Sequence, residues 1–246
     1  MKSLLEEFRI VELKASYYIS EGLPPMPYDA SFKVNVNGVF YTDITASPDH
    51  IEDSVVGLLA GNNILKSKGD LLSLNVDRES NTIEVKIAGD VALKRLFIDD
   101  CIALASQGVR VKPGFRLEKK LLNALVEDFE SRGRGFQGLQ ATGLYSRDDK
   151  VAIIAFDVSR YVSTCKAIGR ALREDLNLNS SIAIATGRAT GDLVALLANV
   201  GVPIVVTSKG PVYGGFAMAA LLGVTLIVYR GLREFTALTY PERLVG

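Results

Sequence analysis

The chain has 246 residues, 48% of them apolar, which suits one large domain or two small ones with a sizeable core. Lys plus Arg and Asp plus Glu number 28 each, so the formal net charge is zero. That balance gives no global electrostatic reason to bind nucleic acid or an anionic membrane, and neither is expected as a partner; a local basic site stays open.

The opening MKSLLEEFRIVELK has acidic residues where a signal peptide needs an apolar core. The longest apolar runs, such as Val202 to Val206, are too short to span a bilayer. The two cysteines, Cys101 and Cys165, form no paired motif. A cytoplasmic protein in a reducing compartment is expected.

Phe8 to Tyr18 reads as a strand, followed by the Pro-rich break LPPMPY at 23–28. Phe32 to Thr45 forms two alternating runs around Asn37-Gly38, a hairpin signal because both turn residues tolerate positive φ. A helix follows, with Ser47 as N-cap and Pro48 in the first helical position. Ile51, Val55, Leu58 and Leu59 recur at helical spacing, and Gly61-Asn62-Asn63 ends it. Residues 71–89 read as a second hairpin closed by Glu79 to Asn81. Residues 89–114 have no clear pattern. Residues 115–131 read as a helix, with Leu117, Leu121, Leu122, Leu125 and Phe129 on one side and Gly133 and Gly135 after it.

From residue 151 the pattern becomes regular. VAIIAFDV, SIAIAT, PIVVTS and VTLIVYR are apolar strands. They alternate with helices over Ser159 to Asn177, Asp192 to Val200 and Phe216 to Leu222. This argues for an α/β domain with a parallel, helix-covered sheet. The expected division is a β-hairpin and helix part at 1–114 and an α/β domain at 115–246.

Ligands of open α/β sheets sit beyond the carboxyl ends of the strands. Three stretches qualify: Asp157 to Arg160, Thr186 to Asp192 and Thr207 to Gly215. Glycines there let the backbone approach a ligand, and Arg188 and Lys209 can neutralise a phosphate. An anionic, nucleotide-like ligand is expected. The stretches are neither a P-loop nor a dinucleotide fingerprint, because GxxxxGK[ST] and GxGxxG are absent.

At these stretches the sequence resembles the FdhD/NarQ family of formate dehydrogenase accessory proteins. The family pattern S-G-R-A-S is similar to Thr186-Gly187-Arg188-Ala189-Thr190, and G-I-P-V-L-V-S-x-x-A-P-T to Gly201 through Ser208, Lys209, Gly210 and Pro211. L-G-L-T-L-V-G-F-x-R-G resembles Leu222 to Gly231, and H-P-E-R-I resembles Tyr240 to Leu244. Upstream, T-P-x-D-x-E-x-L-A-x-G-F-L is similar to Ser47 to Leu59, and T-G-G to Thr142-Gly143-Leu144. E-D-V-G-R-H-N-A-x-D-K-x-x-G resembles Phe156 to Gly169.

The resemblance implies a cytidine-deaminase-like three-layer domain with a mixed sheet, plus a smaller β-rich N-terminal part. It implies a sulfur carrier in molybdoenzyme maturation, passing sulfur from a cysteine desulfurase to the molybdenum cofactor in its guanine dinucleotide form, for an apo-formate dehydrogenase. It further implies a catalytic Cys101. The cofactor-binding set would be Thr142, Gly143, Asp157, Arg160, Thr186, Gly187, Arg188, Ser208, Lys209, Gly210 and Pro211. The family's C-x-x-C pair survives only as Cys101, with Leu104 in the second position, and family histidines fall on Tyr161, near Ser146, and on Tyr240. A second reading is therefore a nucleotide- or cofactor-binding chaperone without sulfur transfer. A homodimer is expected.

Other candidates are weighed from the residues. His50 and Glu52 form an H-x-E like that of zinc deaminases, but the P-C-x-x-C that completes such a site is absent, so no zinc is expected. Both are expected to cap the helix and face solvent. Cys165 is expected in the core. Asp157 and Arg160 either pair with each other or touch a ligand. Arg132 and Arg134 either close over an anion or form a solvated helix end, and Arg170, Arg173, Glu174 and Asp175 read as a solvated face.

Overall fold

The computed structural model describes residues 5–89, 111, 113–133, 138–231 and 234–246. Strand β1 (Arg9–Leu13) is followed by a small hairpin of β2 (Tyr17–Tyr18) and β3 (Met26–Pro27) within the Pro-rich stretch. β4 (Ala30–Val36) and β5 (Val39–Ala46) form the expected hairpin, with Asn37 at φ 51° and Gly38 at φ 79° in its turn. β6 (Leu71–Asp77) and β7 (Thr82–Ile87) form the second hairpin, and β4 pairs parallel with β7 to give a four-stranded sheet. Asn37 also pins that sheet, accepting the Ile87 N–H at 2.9 Å and donating to its carbonyl at 3.2 Å.

Helix α1 (Ile51–Gly61) starts three residues later than the sequence suggests. Ser47 cannot cap it, because its N–H, carbonyl and hydroxyl are all committed elsewhere: to Asp157, Lys166 and Asp49. His50 takes the N-cap position in a left-handed conformation without a side-chain bond, and Glu52 pairs with Arg78 at 3.6 Å. Ten of the eleven residues of α1 are buried. The helix lies between the small sheet and the larger α/β unit.

After β8 (Leu117–Glu118) comes α2 (Lys119–Gly133), so Leu117 belongs to a short strand that pairs with β15 (Leu244–Val245). β9 (Gln140–Ser146) and β10 (Val151–Asp157) form a hairpin. α3 (Arg160–Arg173), β11 (Ser181–Arg188), α4 (Gly191–Asn199), β12 (Ile204–Lys209), α5 (Tyr213–Leu222), β13 (Thr225–Tyr229) and β14 (Phe235–Ala237) complete the unit. α3 stops before Asn177 because Asp175 takes a left-handed φ of 55°.

The large sheet has seven strands in the order β1-β10-β9-β11-β12-β13-β14. β1, β10, β11, β12 and β13 run one way; β9 and β14 run the other. The sheet is thus mixed rather than all parallel. Thr142 and Gly143, which the family resemblance places in the cofactor-binding set, lie within the central strand β9. Gly143 is there for room: a Cβ would press on the rings of Phe129 and Tyr145. Sheet membership also crosses the expected boundary at residue 114, since β1 pairs with β10. α2 covers one face of the sheet, with Leu122, Leu125 and Phe129 against Ile154, Ile184 and Val206. α3, α4 and α5 cover the other face, whose core continues through α1 to Phe32, Val34 and Ile83 of the small sheet.

The join between α1 and α3 depends on two glycines. A Cβ on Gly57 would overlap the Cys165 carbonyl, and one on Gly169 would overlap the Asp53 carbonyl. The helices therefore touch backbone to backbone. Asp53, 1% exposed, is held there by Arg170 at 2.9 Å and Arg173 at 2.7 Å, so two arginines of a helix face that is otherwise solvated at Arg173 and Asp175 also clamp a buried carboxylate. Gly169→Ala is expected to cost about 3 kcal/mol or more, lowering the melting temperature by roughly 6–12 °C. Gly133→Ala, where a Cβ meets nothing within 4 Å, should change stability by no more than about 1 kcal/mol. Thermal denaturation of both variants checks this.

Candidate functional site

The site grows from a buried ion pair. Asp157, the last residue of β10, and Lys166, one and a half turns into α3, are both 0% exposed, with Nζ 2.7 Å from Oδ2. The same Oδ2 accepts the Ser47 N–H at 3.0 Å, Oδ1 accepts the Ser159 N–H at 2.9 Å, and Lys166 donates to the Ser47 carbonyl at 3.2 Å. Burial is the largest influence on the Asp157 carboxyl and raises it above the usual carboxylate range, against the pull of Lys166. Asp157 thus pairs with Lys166 rather than with Arg160, and its side chain is wholly enclosed. The pair fixes three segments together: the end of β10, the turn into α3 and the approach to α1.

Beneath that turn, Thr142 is fully buried and lies 3.0 Å from the Ser163 hydroxyl and 2.9 Å from that of Thr164. Ser163 and Thr164 in turn donate to the Arg160 carbonyl at 3.0 and 2.9 Å. The Ser159 hydroxyl caps α3 through the Val162 N–H. Thr142 therefore seats the first turn of α3 and lies inside the fold. Gly143 faces α2, equally enclosed.

Above the turn, the carboxyl ends of β10, β11 and β12 open into a cavity of about 710 Å³ that contains Arg160, Thr186, Gly187, Arg188, Lys209 and Gln140. The β11–β12 register shifts between Ala185 and Arg188, so β11 carries one extra residue against its partner. This bulge re-aims the end of β11. Gly187 within it leaves space for the Arg160 side chain, whose Cδ would collide with a Cβ. Thr207, 1% exposed, fastens the bulge with its hydroxyl 2.6 Å from the Gly187 carbonyl and accepts the Lys209 N–H at 3.2 Å. Thr186 accepts the Ala141 N–H at 3.0 Å and donates to Gln140 at 3.0 Å. Among the described residues no carboxylate pairs with Arg160, Arg188 or Lys209. Three unpaired cations facing one cavity, with a glycine in its wall, are suited to a phosphate or pyrophosphate.

A second cavity of about 600 Å³ adjoins the first, sharing Val158, Ser159 and Tyr161, and extends toward β5 and α1. Asn62 lines it and donates to Leu58 at 2.8 Å and to the Tyr161 hydroxyl at 3.4 Å. Sequence reasoning missed this chamber, because its residues come from both halves of the chain and no local motif joins them.

Of the remaining candidates, Ser208 lies within hydrogen-bonding reach of Tyr229 on the α2 side, and Gly210 and Pro211 follow β12 without lining either cavity. Cys101 and Arg134 lie outside the described residues. Arg132 is bound to Glu12 at 2.7 Å and Asp128 at 2.9 Å, which removes it from anion capture. Among the described residues no group of three His, Cys, Asp or Glu side chains could hold a metal, and no helix is long and apolar enough to cross a membrane.

Cys165 is 1% exposed, and burial pushes its thiol far above the ordinary range. It should resist iodoacetamide in the folded protein between pH 7 and 9 and react only after denaturation, as peptide mass spectrometry would show. Lys166→Met, which leaves Asp157 buried without its partner, should destabilise the fold by about 3–5 kcal/mol in denaturant titrations.

The chain compares closely with known proteins over most of its length. It is 24% identical over 237 residues to the sulfur carrier protein FdhD of Methanothermobacter thermautotrophicus, covering 88% of this chain and 90% of that one. It is also 24% identical over 235 residues to the sulfur carrier protein FdhD of Geobacillus kaustophilus, covering 86% and 87%. A solved structure of a formate dehydrogenase accessory protein from Desulfotalea psychrophila superposes with a TM-score of 0.71 at 20% identity, covering 94% of this chain and 98% of that one, and has the same fold. The FdhD/NarQ family model matches residues 27–245, and the chain belongs to that family.

Proposed function

We propose that this protein is a sulfur carrier for molybdoenzyme maturation, and that its cationic cavity holds the phosphates of a guanine-dinucleotide molybdenum cofactor. The observation that carries the reading is the convergence of Arg160, Arg188 and Lys209 on one cavity without a carboxylate partner among the described residues. The names of the relatives supply the sulfur chemistry. A mixed sheet between helical layers is consistent with the cytidine-deaminase-like arrangement that the family resemblance implies.

In this reading the cofactor is cargo. Arg160, Arg188 and Lys209 bind and orient its phosphates, the bulge at Thr186-Gly187 admits them, and Asp157–Lys166 holds the turn that carries Arg160. Cys101 is the carrier thiol. It accepts a sulfur atom from the persulfide of a cysteine desulfurase, whose own thiol is released, and passes that sulfur on for an apo-formate dehydrogenase. Transfer would take place in the cytoplasm, by a protein acting as a homodimer. The retained single cysteine also supports a second reading, a binding chaperone without transfer. Cys165 cannot replace the missing partner, because it is enclosed between α1 and α3.

Calorimetric titration with pyrophosphate tests the cavity. Wild type should bind, Arg188→Ala and Lys209→Ala should each weaken binding by about 10–100-fold, and both variants should melt near wild type. Higher salt should weaken binding further. Unchanged affinity in both variants would contradict the assignment.

A further inference from the structure

A third cavity, of about 450 Å³, lies beyond the amino end of β13, at the edge of the large sheet opposite the two chambers. Phe115, Arg116, Tyr240, Glu242 and Arg243 line it. Arg243, in the short turn Pro241–Arg243 before β15, is 7% exposed. Its Nη1 donates to the Gly223 carbonyl and to the Thr225 hydroxyl, the latter at 3.1 Å. Both acceptors are neutral. Among the described residues no carboxylate pairs with Arg243, and its Nε and Nη2 donate to nothing. A buried guanidinium whose charge is unanswered and whose side edge is open is costly until an anion meets it. Burial draws its pKa below the usual guanidinium range, in keeping with a charge short of compensation.

The surroundings hold that guanidinium in place. Its central carbon lies 5.4 Å from the centre of the Tyr240 ring, and the Tyr240 hydroxyl donates to the Ala220 carbonyl. Tyr240 takes a left-handed φ of 47°, an unfavourable backbone for an aromatic residue, so the corner is kept against its local preference. Phe115 is fixed in turn by the Arg147 guanidinium, 4.5 Å from its ring centre. Arg116 and Glu242 are exposed and pair with no opposite charge among the described residues. The cavity thus presents one buried cation, one free carboxylate at its rim and aromatic walls.

We propose that this cavity binds a free α-amino acid with an apolar side chain. The Nε–Nη2 edge of Arg243 receives the α-carboxylate side-on, the geometry a planar guanidinium favours. Glu242 answers the ammonium group, and Phe115 and Tyr240 cover the side chain. A phosphate fits the set poorly, because it brings more negative charge than one buried cation offsets and meets the Glu242 carboxylate. The cavity shares no residue with either chamber, so the inference stands apart from the nucleotide reading.

The test is calorimetric titration of the full chain with L-phenylalanine, L-leucine, L-phenylalaninamide and 3-phenylpropanoate. Wild type should bind the two amino acids, and the amide, which has no carboxylate, should bind at least about tenfold more weakly. 3-Phenylpropanoate, which has no ammonium group, should bind about 2–5-fold more weakly than L-phenylalanine. Arg243→Gln should weaken L-phenylalanine about tenfold or more. Glu242→Gln, at an exposed position and with a melting temperature near that of wild type, should weaken L-phenylalanine about 2–5-fold and leave 3-phenylpropanoate unchanged, a result that does not depend on how well Arg243→Gln folds. No binding of either amino acid by wild type, or equal binding of the amide, overturns the proposal. Equal binding of 3-phenylpropanoate and L-phenylalanine, with no effect of Glu242→Gln, overturns the amino acid as ligand and points to a plain carboxylate such as a polypeptide C-terminus.

Discussion

Asp157 and Lys166 lie wholly out of water, and each is tolerable there only because the other is present. The pair's hydrogen bonds reach Ser47 and Ser159, so the same contact that neutralises two buried charges also fixes where β10 ends, how α3 begins and how the chain enters α1. Both cavities are built on the turn it holds, Val158 to Tyr161. Such a pair contributes little net stability compared with an apolar replacement of both partners, but losing either partner alone leaves the other charge buried and unpaired. The same junction needs α1 and α3 to meet without side chains between them, a condition met by Gly57 and Gly169.

The two chambers differ in charge. The bulge at the end of β11 and the glycine within it put Arg188 and Arg160 at one opening with Lys209, and the small sheet brings a neutral-to-acidic wall to the other. The N-terminal part of the chain is therefore more than an appendage. Its β5 and the end of α1 form one side of the second chamber, and its β1 extends the large sheet.

Much of this was legible from residue order. The Asn37-Gly38 turn, the apolar strands from Val151 onward and the gathering of Gly187, Arg188 and Lys209 at one sheet edge follow from local chemistry that tertiary context does not reverse. The misreadings share one cause, a residue whose usual local role was taken over by a distant partner. Ser47 looked like a helix cap, but Asp157 and Lys166 claim its backbone from 110 and 119 positions away. Thr142 and Gly143 stood in the sequence only as a motif match, whereas in the fold Ser163 and Thr164 engage the threonine and the ring of Phe129 takes the space beside the glycine. Arg170 and Arg173 read as a solvated face, and what that reading lacked was their buried partner Asp53, 117 and 120 residues away. The chamber around Tyr161 and Asp192 had no sequence signature, because its walls come together only when the two halves of the chain fold onto each other.

The claim most exposed to experiment is that this chain carries sulfur. With Cys165 enclosed in the core, an added sulfur atom on the native protein has a single cysteine left to occupy, Cys101. Intact-mass analysis after incubation with a cysteine desulfurase and cysteine should show one added sulfur on wild type and none on Cys101→Ser. No adduct on wild type, or the same adduct on both proteins, would contradict the account.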